Sequence, residues 1–103
     1  MQLANGETIP RTAYINGRWI DSDHAFAVHD PADGAHLADI PDCTPEQAED
    51  AIRAAEAAQP AWRDCLAAAR THYLEAWYAL IQDNREALAH IITAENGKPL
   101  GEA

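Results

Sequence analysis

The sequence predicts an α+β fold in which a small antiparallel β unit, residues 12–40, precedes three α-helices. Two local patterns and one periodic pattern predict it. Asn16-Gly17 lies between residues of high β propensity, which is the strongest short signal for a hairpin. Thr44 and Gln47 form a helix-start pattern, and apolar residues then recur at helical spacing through the second half of the chain.

The β unit is predicted to be a hairpin followed by a second pair of strands. Both central residues of a type I′ turn need a positive φ, which Asn16 and Gly17 tolerate. Residues 26–30 alternate apolar and polar side chains as a half-buried strand does, and residues 36–40 form its partner. The Pro-Ala-Asp-Gly sequence at residues 31–34 predicts the turn that joins these two strands.

The first helix is predicted at about residues 45–58. Thr44 is suited to cap it, Pro45 fits the first helical position, and Gln47 completes a capping box with Thr44. Pro60 is expected to end this helix, because proline has no N–H to donate inside a helix and its ring crowds the preceding turn.

The second and third helices are predicted at about residues 67–83 and 84–96. Large apolar side chains line one stripe of each. Asp83 or Asn84 is expected to cap the third helix, because a short polar side chain can accept from a free backbone N–H there. Gly97 is expected to end it, since glycine adopts left-handed backbone geometry without a penalty.

Size and composition indicate part of a larger domain. The chain has 103 residues; alanine makes up much of its 48% of hydrophobic residues, and there are only one Phe, one Met and three Trp. A chain this short buries only roughly 60–65% of the surface that its unfolded form exposes. We therefore expect residues 12–103 to lack a self-sufficient core, and residues 1–11, which are polar, to form a flexible arm.

The net charge and the lack of a targeting signal limit which partners and which cellular compartment are expected for this chain. A formal net charge of −10 repels phosphate backbones and anionic lipid headgroups, so nucleic-acid and membrane-surface binding are not expected. The N-terminus has no secretory pattern, and no apolar run approaches the roughly 20 residues that span a bilayer. Cys43 and Cys65 make no disulfide framework, so a reducing cytoplasm is the expected location.

Several short segments follow one another along the chain in a distinctive order. They are Tyr14-Ile15-Asn16-Gly17-x-Trp19, Asp30-Pro31-Ala32-Asp33-Gly34, Pro60-Ala61-Trp62-Arg63, Asn84-Arg85-Glu86-x-Leu88-Ala89 and Thr93-x-Glu95-Asn96-Gly97-Lys98-Pro99-Leu100. Their order and spacing resemble the opening part of the NAD(P)-dependent aldehyde dehydrogenases, and most closely the succinate-semialdehyde dehydrogenase branch. The resemblance covers about residues 12–103.

The resemblance implies the N-terminal part of an α/β cofactor-binding domain. It implies an enzyme that oxidises an aldehyde, with succinate semialdehyde as the expected substrate, to the acid through a cysteine thiohemiacetal, with hydride passing to NAD or NADP. The family's nucleophile and dinucleotide motifs lie beyond residue 103, so the chain is expected to be inactive and to bind no cofactor alone. Its implied partner is the remainder of the dehydrogenase domain, and the intact enzyme is expected to be a homo-oligomer.

The nucleophiles and histidines of the chain are expected to play no catalytic or metal-binding part. Cys43 lies beside an acidic residue, which does not favour a thiolate, and Cys65 takes the place of an apolar packing residue of the family. The five histidines have no metal-ligand spacing. They are His24, His29, His36, His72 and His90.

The remaining polar candidates are also expected to be structural. Gly97-Lys98-Pro99 has one glycine and one lysine, which do not form an amide cradle for phosphate. Glu95 lies on an apolar stripe and is expected to be a buried, paired carboxylate. Trp62 and Trp77 are expected to anchor the packing of the helices. No residue of this chain is therefore predicted to be catalytic, cofactor-binding or metal-binding.

Two alternatives to a succinate-semialdehyde dehydrogenase stay open. One is another aldehyde dehydrogenase branch, acting on betaine aldehyde or aliphatic aldehydes. The other is a non-enzymatic, truncated helical module that binds a partner through its alanine-rich helix and exposed Trp62 or Trp77.

Overall fold

The computed structural model describes residues 10–103, so all but the last two positions of the predicted arm lie outside the described residues. Within residues 10–103, four strands precede three helices and a short 3-10 turn, which confirms the predicted α+β class. The strands are β1 (Ala13–Ile15), β2 (Arg18–Ile20), β3 (Ala25–His29) and β4 (His36–Pro41). The helices are α1 (Pro45–Asp64), α2 (Ala67–Asp83) and α3 (Arg85–Asn96), and the 3-10 turn is Leu100–Glu102.

The first strand pair is the hairpin that the Asn-Gly sequence predicts. β1 and β2 pair antiparallel, with Tyr14 opposite Trp19, and their rings lie 4.8 Å apart between centroids. Asn16 has φ 50° and Gly17 has φ 75°, which are the positive values that a type I′ turn requires. Two residues thus set the register of this pair.

The second strand pair, β3 with β4, is also antiparallel and carries an irregularity between Val28 and His29. Its turn is closed by the backbone of Asp30, whose carbonyl accepts from the N–H of Gly34 at 2.8 Å. The carboxylate of Asp30 accepts from the N–H of Ala32 at 2.8 Å. Side chain and backbone of one residue therefore hold the predicted turn.

A complete capping box begins α1, as the sequence predicts. The hydroxyl of Thr44 accepts from the N–H of Gln47 at 3.2 Å, and the side-chain oxygen of Gln47 accepts from the N–H of Thr44 at 2.8 Å. The Gln47 amide also donates to the carbonyl of Asp21 at 2.9 Å, which ties the start of the helix to the segment that follows β2.

Replacing Thr44 with alanine is expected to weaken the first turn of α1 by about 1 kcal/mol, because the N–H of Gln47 loses its acceptor. Amide hydrogen exchange, followed by NMR, measures the free energy of local opening at that turn. Thr44→Ser keeps the hydroxyl and serves as the control. Equal exchange rates in the alanine and serine variants would contradict the role of the hydroxyl.

The prediction that Pro60 ends the first helix is wrong. α1 continues through Pro60 to Asp64 and closes with a bond of 3.2 Å from the N–H of Cys65 to the carbonyl of Trp62. Proline removes one hydrogen bond and crowds the preceding turn, but it leaves every other donor of the last turn in place. The helical turn after Pro60 is therefore retained.

α2 spans the predicted residues, and α3 begins without the predicted side-chain cap. The Asn84 amide donates to the carbonyl of Leu80 at 2.8 Å, so it satisfies the end of α2 and does not cap the start of α3. At the other end, Gly97 has φ 76°, and its N–H donates to the carbonyl of Thr93 at 2.9 Å. The predicted glycine end of α3 is confirmed.

Within residues 10–103, Pro41 is the only buried apolar residue, and no aliphatic or aromatic side chain is buried. Trp62 is 41% exposed and Trp77 is 62% exposed, so the prediction that they anchor a helix core inside this chain is wrong. Trp62 contacts only the ring of Tyr73, at 6.0 Å between centroids, among aromatic partners in the described part. α2 packs against few other elements, which agrees with the expected lack of a self-sufficient core.

Among residues 10–103, no helix has the length and apolar character needed to traverse a bilayer.

Candidate functional site

The two thiols lie at opposite ends of α1. Cys43 is exposed just before the helix, and Cys65 follows its last turn, where its Sγ donates to the carbonyl of Ala61 at 3.3 Å. Within the described part of the chain, neither thiol contacts a histidine or another base. A cysteine nucleophile needs such a partner or another means of forming a thiolate. The described geometry around the cysteines provides none.

Two histidines meet across the second strand pair. The rings of His29 and His36 lie 5.7 Å apart between centroids, and Nε2 of His36 lies 2.9 Å from Oδ1 of Asp39. His36 and Asp39 are both exposed, so this pair adds little to stability. Among residues 10–103, no three side chains of His, Cys, Asp or Glu are grouped to hold a metal ion.

The expectation of a buried, paired Glu95 is wrong. Glu95 is exposed on α3 and makes no ion pair with any described residue. It borders a small pocket between α3 and β4, together with Arg11, Ile40 and Ile91. The apolar stripe of α3 correctly predicted that Glu95 lies beside apolar residues, but no described element covers it.

An open groove of about 600 Å³ lies between the first hairpin and α1 and is lined in part by Arg18 and Trp19. On its helical side, Arg53 donates to Asp50 at 2.7 Å and to Glu49 at 3.2 Å. These bonds, first the one to Asp50, hold the pKa of Arg53 above its ordinary value. Because acidic neighbours already engage Arg53, the groove does not present a free pair of arginines to an anion.

This groove was not singled out by the sequence-based predictions. The ion pairs of Arg53 are with acidic residues three and four positions earlier on α1, and this spacing could have been recognised in the sequence. The approach of Arg18 and Trp19 to α1 is set by tertiary packing, for which the sequence carries no local signal.

Glu46 lies in the first turn of α1, and its pKa is lowered there. The backbone N–H of Glu46 and, secondarily, the side chain of Thr44 donate to its carboxylate and lower its pKa from the ordinary value. Bonds to the ionised form stabilise the folded turn above the unfolded pKa, and this contribution is lost as the pH falls through the lower, folded pKa.

An NMR titration of the Glu46 carboxyl is expected to give a pKa below the ordinary value of a glutamate in the natural chain. Thr44→Ala is expected to move that pKa upward, because one donor is removed, while the larger backbone contribution remains. A pKa of Glu46 that is equal in the two chains would contradict the contribution of Thr44.

Two of the segments that carry the resemblance touch each other. A Cβ placed on Gly97, at the end of α3, would lie 3.0 Å from Cγ of Pro31 in the turn of the second strand pair. Gly97 therefore has two separate requirements, a positive φ and a close neighbour. Lys98 follows in the connector to the 3-10 turn. The segment that looked like a possible phosphate loop ends a helix against a β-turn.

The sequence model described as the aldehyde dehydrogenase family matches residues 19–103. The chain belongs to the aldehyde dehydrogenase family. The contact between Pro31 and Gly97 thus joins two parts of an aldehyde dehydrogenase N-terminal region.

Individual relatives agree with this assignment. The mitochondrial succinate-semialdehyde dehydrogenase of Hylobates lar is 45% identical over 91 residues, covering 88% of this chain and 17% of the relative. A 3-sulfolactaldehyde dehydrogenase of Pseudomonas putida is 42% identical over 105 residues, covering 100% of this chain and 22% of the relative. The crystal structure of succinate-semialdehyde dehydrogenase from Burkholderia pseudomallei matches with a TM-score of 0.86 and 40% identity, over 90% of this chain and 20% of that one.

The chain spans about a fifth of the length of these aldehyde dehydrogenases. It is therefore part of a larger domain in its relatives. The missing core of α2 and the exposed surface beside Glu95 are consistent with such a part.

Proposed function

We propose that this chain is the N-terminal part of an NAD(P)-dependent enzyme that oxidises succinate semialdehyde to succinate. The observation that carries the proposal is the family match over residues 19–103. Succinate semialdehyde is favoured because two of the similar proteins described above are named for it. The reaction we assign is attack of a cysteine thiolate on the aldehyde, hydride transfer to NAD or NADP, and hydrolysis of the resulting thioester.

We propose that residues 12–103 act as scaffold in that enzyme. We assign no catalytic, cofactor-binding or metal-binding residue to this chain. Two observations support this assignment. Among the described residues, the thiols of Cys43 and Cys65 contact no base, and Arg53, in the groove between the first hairpin and α1, is already bonded to Asp50. The exposed aromatic residues of α2 support a partner that covers them, which we take to be the remainder of the dehydrogenase domain.

We further infer a cytoplasmic homo-oligomer for the intact enzyme. Both cysteines are free, which fits a reducing compartment. Homo-oligomerisation is inferred from the resemblance to the family, and most soluble oligomers are symmetric assemblies of identical chains. The Hylobates relative is named as mitochondrial, so the mitochondrion is the competing location.

The purified 103-residue chain is expected to reduce neither NAD nor NADP in the presence of succinate semialdehyde, because it lacks an activated nucleophile. Absorbance of the reduced nicotinamide measures this directly. The full-length Burkholderia enzyme, assayed under the same conditions, is the positive control. Turnover that rises in proportion to the concentration of the 103-residue chain would overturn the scaffold assignment.

Sequencing the gene beyond the codon for Ala103 tests the enzymatic proposal itself. We expect an open frame that encodes a cysteine within a glycine-rich segment. A stop codon at that point would contradict the proposal, and family membership would then describe ancestry without activity.

The substrate is tested with the product of that longer frame. Succinate semialdehyde, betaine aldehyde and an uncharged aliphatic aldehyde differ in the charge that they carry away from the reacting carbonyl. We expect the highest kcat/KM for succinate semialdehyde. A higher value for betaine aldehyde or the aliphatic aldehyde would assign the chain to another branch of the family.

A non-enzymatic partner-binding module is the second candidate, and the exposure of Trp62 and Trp77 is the observation that favours it. Such a module has to fold by itself. A sharp thermal transition of a monomer would support this candidate. A broad transition or self-association would support a scaffold that needs the rest of its domain.

A further inference from the structure

We draw no further inference here: the strongest candidate, the apolar surface that Tyr73, Leu74, Trp77 and Leu80 expose along α2, belongs to the contact with the remainder of the dehydrogenase domain already proposed, and nothing in the structure shows another occupant.

Discussion

Replacing Pro60 with alanine is expected to stabilise the last turn of α1 by about 2 kcal/mol. Pro60 lies inside the helix and cannot donate to the carbonyl of Glu56, four residues earlier. Alanine restores that donor and removes the clash of the ring with the preceding turn. The gain is reduced because proline also restricts the unfolded chain, an effect of about 0.4–1 kcal/mol.

Amide hydrogen exchange at Trp62 and Arg63 measures this gain, because both residues lie in the turn that follows Pro60. Pro45→Ala is the matched control. Pro45 occupies the first helical position, where an N–H would have no partner inside the helix, so the change there is expected to stay within about 0.5 kcal/mol. Faster exchange in Pro60→Ala than in the natural chain would show that the proline contributes a contact that outweighs the lost hydrogen bond.

The outcome at Pro60 illustrates which parts of the fold can be predicted from sequence. Asn16-Gly17 and the Thr44–Gln47 box were predicted correctly because each is closed by atoms within four residues. The end of α1 was not, because proline only weakens a helix and the donors after it decide whether the turn persists. A local rule gives the free-energy cost of a residue such as proline inside a helix. Whether the helix continues depends on the hydrogen bonds of the neighbouring turns.

Asn84 shows a second limit of prediction. Its side chain can either cap the start of α3 or donate a hydrogen bond to the last turn of α2. Both interactions are with residues nearby in the sequence. The structure has the second, with the amide of Asn84 on the carbonyl of Leu80. Sequence patterns identify Asn84 as a boundary residue correctly, but they do not rank two acceptable partners.

For the candidate site, the sequence predicted the types of surface but not their burial. The apolar stripes that include Trp77 and Glu95 were identified from spacing, yet both residues are exposed. Periodicity reports which residues share a face of a helix, whereas burial depends on what packs against that face. No element among residues 10–103 covers either residue, and the chain spans about a fifth of the length of its relatives.

Replacing Gly97 with alanine is expected to destabilise the junction between α3 and the β3–β4 turn by about 2–3 kcal/mol. At φ 76° an alanine pays about 1–2 kcal/mol for the left-handed backbone. The rest arises because its Cβ would lie 3.0 Å from Cγ of Pro31, so the ring has to move. Amide exchange at the end of α3 measures the loss.

Two other glycines allow the backbone strain at position 97 to be distinguished from the crowding by Pro31. Gly34 has φ 76° but nothing within 4 Å of an added Cβ, so Gly34→Ala reports the backbone strain without crowding. Gly101 has neither feature, and Gly101→Ala is expected to change local stability by less than about 0.5 kcal/mol. The expected order of destabilisation is Gly97, then Gly34, then Gly101.

A double-mutant cycle identifies the crowding directly. In the Gly97→Ala background, Pro31→Ala removes the ring carbon nearest to the added methyl group and is expected to recover part of the lost stability. In the natural background, Pro31→Ala has no crowding to relieve, so it only removes the fixed φ of proline from the turn. A coupling energy near zero between the two positions would show that the backbone of Gly97 accounts for its whole effect. A clear coupling would establish that the Pro31 turn and the end of α3 are held in register by direct contact, and that the contact requires glycine at position 97.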